Sequence, residues 1–210
     1  MKQIAIYGAS GHGKVVADIA KLNGYDDILY VDDGDNEFMT FEAFLEKDLQ
    51  MPVAFGVGIN HVRAKLYKKC MDNGLEIVTL IHPTAVLSSS VTIDEGTVIM
   101  AGVVINADAN IGRCCIINSS CVIEHDNIIE NFVHISPLVA CAGDVTVGEY
   151  THIGIGSCII QGISIGSNSI IGAGSVVVID LVAQKLAYGN PCKVIKGINL
   201  NMSIDNSDTK

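Results

Sequence analysis

From Ile81 to Val177 one residue in every six is a large aliphatic: Ile81, Leu87, Ile93, Ile99, Ile105, Ile111 and so on, broken only by Cys141. The position four further on is mostly small or β-branched, as at Ala85, Val103, Cys115 and Ser157, with Asn127 and Ile163 as the larger members. No helix has a period of six. A run this long predicts a solenoid of short strands, each burying its aliphatic against the rungs above and below. Three hexads close one triangular coil of about 18 residues, so positions 18 apart stack directly. His152 is thereby placed over His134, and Gly143 over His125.

Before the repeat the pattern changes. Lys2 to Tyr7 reads as a buried strand, Gly8-Ala9-Ser10-Gly11-His12-Gly13 as a glycine turn, and Lys14 to Asn23 keeps a helical period. Ile28 to Val31 gives a second strand that ends in Asp32-Asp33, Pro52 to Gly58 a third, Asn60 to Asn73 a helix, and Glu76 to Ile81 a strand into the repeat. Strand, glycine turn and helix start form a cradle for phosphate, and a carboxylate after the second strand suits a ribose or a base. The glycine spacing is G-x-x-G-x-G, not the dinucleotide G-x-G-x-x-G, and about 80 residues make only half of a doubly wound fold. One nucleotide-linked ligand is expected here, and not NAD.

Composition narrows the function. A net charge of −10 argues against nucleic acid and anionic membranes, which require a basic face. Between residues 81 and 180 the sole Lys or Arg is Arg113, so a polyphosphate bound there needs backbone amides or the later Lys185, Lys193 and Lys196. No apolar run reaches the length of a transmembrane helix and the N-terminus lacks a secretory pattern, which points to the cytoplasm. The seven cysteines contain no C-x-x-C, and Cys115, Cys121 and Cys141 fall on inward positions, as small core residues in a reducing compartment would. Cys141 is thus excluded as a nucleophile, while Cys114 and Cys158 stay open.

His125 stands at an outward corner between Glu124 and Asp126, where an acid can orient an imidazole and raise its basicity, as a general base requires. Gly143 above it offers an unhindered N–H to a developing oxyanion. His125 and His134 are nine residues apart, half a coil, and so lie on different sides of the prism.

The hexads, with Gly or a small residue after many of the aliphatics, resemble the left-handed parallel β-helix acyltransferases, and Gly189-Asn190-Pro191-Cys192-Lys193 resembles their G-x-P-A-K closing motif. Together with Gly8 to Gly13, Asp32-Asp33, Gly58 and Ile123-Glu124-His125-Asp126, the pattern resembles the PglD/NeuD family of bacterial sugar acetyltransferases across residues 2–197. The resemblance implies a Rossmann-like nucleotide-sugar domain over 1–80 and a left-handed β-helix over 81–197, while residues 198–210, polar and without period, read as a loose tail. It implies a homotrimer with acetyl-CoA between neighbouring coils, no metal, and N-acetylation of a nucleotide-linked 4-amino-4,6-dideoxy sugar, with UDP as the expected carrier. Ser10, Gly11, His12, Asp32, Asp33 and Gly58 would hold the sugar nucleotide, His125 and Asp126 would be base and supporting acid, and His134 and Ile155 would touch the coenzyme. The family's best-described members carry Glu at the position of Asp126. O-acetylation of sialic acid or a related sugar is the alternative, followed by a nucleotide-sugar sensor and a three-histidine metalloenzyme of the γ-carbonic anhydrase type.

Overall fold

The computed structural model describes residues 2–198. The tail expected over 198–210 falls outside them except for Ile198. Three parallel strands, β1 (Gln3–Tyr7), β2 (Asp27–Val31) and β3 (Val53–Phe55), form a sheet in the order β2-β1-β3. Helices α1 (Gly11–Leu22), α2 (Phe41–Glu46) and α3 (Asn60–Asp72) connect them and lead on to the repeat. Helix α1 begins three residues before the expected Lys14, because Gly11-His12-Gly13 is its first turn and not a loop. Helix α2 was not foreseen. Thr40 caps it by accepting from the Ala43 N–H, and it buries Phe41 and Phe44.

Glycines let these elements meet. Gly8 has a φ of +111°, and a Cβ on Gly13 or Gly56 would strike the Gly8 carbonyl oxygen, so the three backbones pack where no side chain fits.

The repeat folds as expected, into two-residue strands from β4 (Leu80–Ile81) to β20 (Val176–Val177), in three parallel sheets. Ladders join residues 18 apart, as Ile117 with Ile135 and Ile123 with Cys141. The sixth-residue aliphatics fill the interior, with Ile99, Ile117, Ile123, Ile135, Ile153 and Ile171 wholly buried. Corners turn through residues of positive φ, among them Asp126 at +59°, Phe132 at +58° and Tyr150 at +60°. Such a turn costs a non-glycine residue about 1–2 kcal/mol, which the regular ladder on both sides must offset.

At the C-terminal end the coil continues past residue 180, where β21 (Lys185–Tyr188) adds a further parallel rung beside Ile170 and Ile171. Strand β22 (Lys193–Gly197) then folds back antiparallel and ends the stack. Lys185, Lys193 and Lys196 all lie on this hairpin.

The N-terminal unit packs on one face of the coil, the face whose outward positions include Val98, Ile116, His134 and His152. Ile4, Ile6, Val16, Ile19 and Ala20 share a buried cluster with Leu80, Val98, Met100 and Ile116. At the adjoining corner Phe132 stacks on Tyr150 at 5.2 Å between ring centroids, Tyr150 stacks on His61 at 4.7 Å, and Tyr67 meets Phe132 edge-on at 5.7 Å. Helix α3 is thereby fixed against the coil by rings from both sides.

Candidate functional site

Two groups of histidines occupy opposite sides of the coil, and their surroundings differ in charge. The first is His125. Its Nδ1 lies 2.7 Å from Asp126 Oδ2 on an exposed corner. Asp126 reaches the ring despite its short side chain because its own backbone is in the left-handed region. Glu124, the other flanking acid, turns away and accepts from Asn106 Nδ2 at 2.8 Å. The Asp126 hydrogen bond, with the nearby charges of Asp126, Glu124 and Asp144, raises the His125 pKa above its ordinary value. The ring rests on Gly143, where an added Cβ would come within 2.5 Å of Cε1 and 2.6 Å of Nε2. Among the described residues the Gly143 N–H has no hydrogen-bond acceptor.

Asn127, read from the sequence only as an oversized inward residue, supports this corner. It is wholly buried, and its Nδ2 donates to the carbonyls of Glu124 at 2.7 Å, Ala142 at 2.8 Å and His125 at 3.3 Å. One amide therefore ties the His125 turn to the residue before Gly143. Asn127→Ala leaves the Glu124 and Ala142 carbonyls without a donor inside the coil, while the His125 carbonyl keeps the Asp144 N–H; we expect a loss of about 2–4 kcal/mol in urea unfolding, together with a weakened His125–Asp126 contact.

The second group lies beneath the N-terminal unit. His134 stacks on His152 with centroids 4.6 Å apart, as the 18-residue period led us to expect, and His12 stands 6.4 Å from His134. His134 Nδ1 faces the Gly58 carbonyl at 3.3 Å, Asn118 Nδ2 faces its Nε2 at 3.3 Å, and Ser136 Oγ is 2.8 Å from His152 Nε2. Burial, aided by the Arg63 charge, lowers the pKa of His12 to about 4 and of His152 to about 4, and burial with His152, Arg63 and His12 holds that of His134 well below its ordinary value. His134 thus lies in a cleft of its own chain next to Gly58, while Ile155 sits at an exposed corner whose carbonyl accepts from Gly174.

The glycine turn opens beside this cleft. Ser10 precedes α1 without capping it through its side chain, and nothing lies within 4 Å of the Cβ position at Gly11. Asp32 accepts from the N–H groups of Ala9 at 2.8 Å and Gly34 at 2.9 Å and from Asn36 Nδ2 at 2.9 Å, and these bonds, led by Ala9, keep its carboxyl below the usual range. Asp33 keeps its side chain 41% exposed and accepts from Tyr7 Oη, from the Phe41 N–H at 2.8 Å and from Lys69 Nζ at 2.9 Å. The sequence paired the two aspartates as ligand residues; Asp32 lies beside the turn, and Asp33, still exposed, also ties β2 to α2 and α3.

The cysteines do not compete for a catalytic role. Cys114, left open by the sequence, is buried and its thiol pKa is pushed upward by desolvation, as is that of Cys141. Cys158 alone is exposed, and it stands in a strand between Ala140 and Val176 with no base in contact. Among the described residues no group of His, Cys, Asp and Glu could hold a metal ion.

Comparison with known proteins identifies the family and the fold. Residues 3–70 match the PglD N-terminal domain family. PerB from Caulobacter crescentus, solved in complex with CoA and GDP-perosamine, is 38% identical, with 93% of this chain and 98% of PerB covered and a TM-score of 0.88. The chain belongs to the PglD-like sugar acetyltransferases. The PglD-like fold is an α/β unit followed by a left-handed parallel β-helix, as the family resemblance implied. The acetyltransferase domain of PglB from Neisseria gonorrhoeae FA1090, solved with acetyl coenzyme A, is a second PglD-like relative at 33% identity, covering 92% of this chain and 99% of that domain with a TM-score of 0.86. UDP-N-acetylbacillosamine N-acetyltransferase of Bacillus subtilis is 41% identical over 115 residues, 48% of this chain and 52% of that enzyme. The match thus spans about half the length of that curated relative. Among the described residues no helix is long and apolar enough to cross a membrane.

Proposed function

We propose that this PglD-like protein is an acetyl-CoA-dependent N-acetyltransferase that modifies the 4-amino group of a nucleotide-linked 4-amino-4,6-dideoxy sugar. The observation that carries the reading is the pairing of an open glycine turn at the start of α1 with His12 and His134, whose ring centroids are 6.4 Å apart, in a chain whose opposite corner presents an acid-supported His125 over Gly143. Residues 1–80 take the sugar nucleotide, through Ser10, Gly11, His12, Asp32 and Gly58 with Asp33 bracing the turn. Residues 81–197 carry the acetyl-transfer machinery. The carrier is UDP in this reading, after the bacillosamine relative; GDP, as in the PerB complex, is the competing carrier.

The chemistry follows from the groups present. The sugar amine adds to the thioester carbonyl, His125 takes the proton released from nitrogen as the C–N bond forms, the Gly143 N–H meets the oxyanion, and the CoA thiolate departs. Asp126 holds the His125 ring with Nε2 outward and favours the imidazolium that forms. No covalent acyl-enzyme is required, consistent with the burial of every thiol but that of Cys158.

His125 and the His134 cleft lie on opposite sides of one coil, so a site using both must draw them from two copies. We infer a homotrimer in which His125 of one copy faces the cleft of the next, with acetyl-CoA between them touching His134 and Ile155. Seven free cysteines suit a reducing compartment such as the cytoplasm.

Thiol release from acetyl-CoA, measured against 4-amino-sugar nucleotides that differ only in UDP, dTDP or GDP, tests the function and identifies the carrier. Transfer to none of them, with transfer to a sialic acid hydroxyl, would move the protein to the O-acetyltransferases. In the same assay Asp32→Ala should raise the KM for the sugar nucleotide about tenfold or more and spare that for acetyl-CoA, because a lost ligand contact of about 1.4 kcal/mol acts on one substrate alone.

A further inference from the structure

Arg63 is 1% exposed, and among the described residues it forms no ion pair. Its Nε donates to the Cys114 carbonyl at 2.7 Å, Nη1 to the carbonyls of Val57 at 3.0 Å and Gly58 at 3.2 Å, and Nη2 to Asn60 Oδ1 at 2.8 Å and the Phe132 carbonyl at 3.0 Å. Neutral acceptors on the β3–α3 turn, on α3 and on two corners of the coil therefore satisfy a cation that no carboxylate balances. A buried charge of this kind is costly and is kept where its field or its geometry is used. Although burial lowers its pKa to about 10, it is still charged at neutral pH.

The Gly58 carbonyl is shared. It accepts from Arg63 Nη1 and faces His134 Nδ1, so Nδ1 must carry the hydrogen. On the other side of the ring, Asn118 Oδ1 accepts the Ser119 N–H at 2.9 Å, which turns the Asn118 amino group toward His134 Nε2. Nε2 is thus an acceptor, and His134 is held neutral by its partners on both sides. The charged and titratable groups acting on it are His152 on the same face, Arg63 on α3 and His12 on α1, with no carboxylate among them. His12 Nε2 is buried and has no partner among the described residues. By contrast, the carboxylates of Asp126, Glu124 and Asp144 act on His125. The two halves of the proposed site have opposite electrostatic character, the arrangement that separates acid from base roles.

We propose that Arg63 is a positioning residue of the acceptor pocket: sealed beneath Gly58 and His134 without a carboxylate partner, it bars a second positive charge, so that the sugar amine occupies the pocket as the free base. The inference rests on the N-acetyltransferase reading. An amine attacks a thioester only through its unshared pair, and in water near neutral pH the acceptor is largely ammonium. The pocket therefore selects the reactive form on binding, the proton going to solvent, and His125 handles only the proton released later from nitrogen.

Competition binding to the wild-type protein tests this with the UDP-linked 4-amino-4,6-dideoxy sugar and its 4-hydroxy counterpart, or the GDP pair if that carrier is used. The ratio of the two affinities cancels the contribution of the diphosphate. It should rise about tenfold per pH unit until the amine is deprotonated and then level off, while the hydroxy compound stays flat. Equal affinity at all pH values, or tighter binding of the amino compound in acid, overturns the proposal. Arg63→Met should flatten the slope, raise relative affinity for the ammonium form at pH 6 about tenfold or more, and move the acid limb of kcat to higher pH, whereas Arg63→Lys should restore the wild-type slope. An unaltered slope in Arg63→Met also overturns it. Should Arg63→Met not fold, 15N NMR of histidine-labelled wild-type protein decides: His134 must be the neutral Nδ1–H tautomer at pH 6, and a charged His134 there contradicts the account. Failure of both sugars to bind condemns the functional reading itself, whereas binding of both without a pH slope condemns only the role of Arg63.

Discussion

His125→Ala should lower kcat at least about a hundredfold, since a general base contributes about 10²–10⁴ to rate, and should leave the KM for acetyl-CoA nearly unchanged. The side chain is exposed, contacts the rest of its chain through Asp126 and Gly143, and contributes nothing to the core, so its loss must not disturb folding. An interaction made only in the transition state acts on kcat and on kcat/KM alike. The companion change, Asp126→Asn, should have a smaller effect on rate. It removes the largest cause of the raised His125 pKa, so the acid limb of the rate profile should move to lower pH, where the weaker base first loses its proton. Near-normal turnover in His125→Ala would remove this histidine from the reaction, and an unmoved limb in Asp126→Asn would show that the acid does not tune it.

Gly143→Ala is the second large effect. The new methyl would lie 2.5 Å from His125 Cε1 and 2.6 Å from Nε2, well inside van der Waals contact, so the ring must swing off its seat. The backbone at Gly143 is not in the left-handed region, so alanine is tolerated there by the fold. Stability should change by less than about 1 kcal/mol while kcat falls about tenfold to a hundredfold, because a small misplacement of a reacting group is expensive. Crystallography of the variant would show the ring displaced. Unchanged turnover with a displaced ring would mean that the His125–Gly143 stack is merely a surface contact.

The sequence made the coil legible because each hexad repeats one requirement, an aliphatic inside every sixth residue, and the 18-residue stacking of His152 on His134 and of Gly143 over His125 followed by arithmetic alone. Helix α1 was legible as a helix but not to its first residue, since Gly11 and Gly13 look like loop glycines until Gly8 and Gly56 are seen packed against Gly13. Arg63 was invisible. Its acceptors at Cys114 and Phe132 lie 51 and 69 residues away, and no local pattern marks a helical arginine that will be buried by docking. Asn127 did leave a signal, as the large polar residue among small inward positions, and the structure explains it by the three carbonyls it holds. The second role of Asp33 was not legible, because its bonds to the fold depend on Tyr7, Phe41 and Lys69 arriving from elsewhere.

The account's central claim is that the site joins His125 of one copy to the His134 cleft of another, and complementation between inactive chains tests it most directly. Differently tagged His125→Ala and His134→Ala chains would be co-expressed, mixed trimers purified through both tags, and turnover measured at acetyl-CoA low enough for the His134 defect to matter. Wherever a His134→Ala chain offers its His125 to a neighbour that retains His134, one intact site is rebuilt, so mixed trimers should exceed the mean of the two parents and approach about one third of wild-type activity. Mixed trimers that show only the parental mean would contradict the shared site.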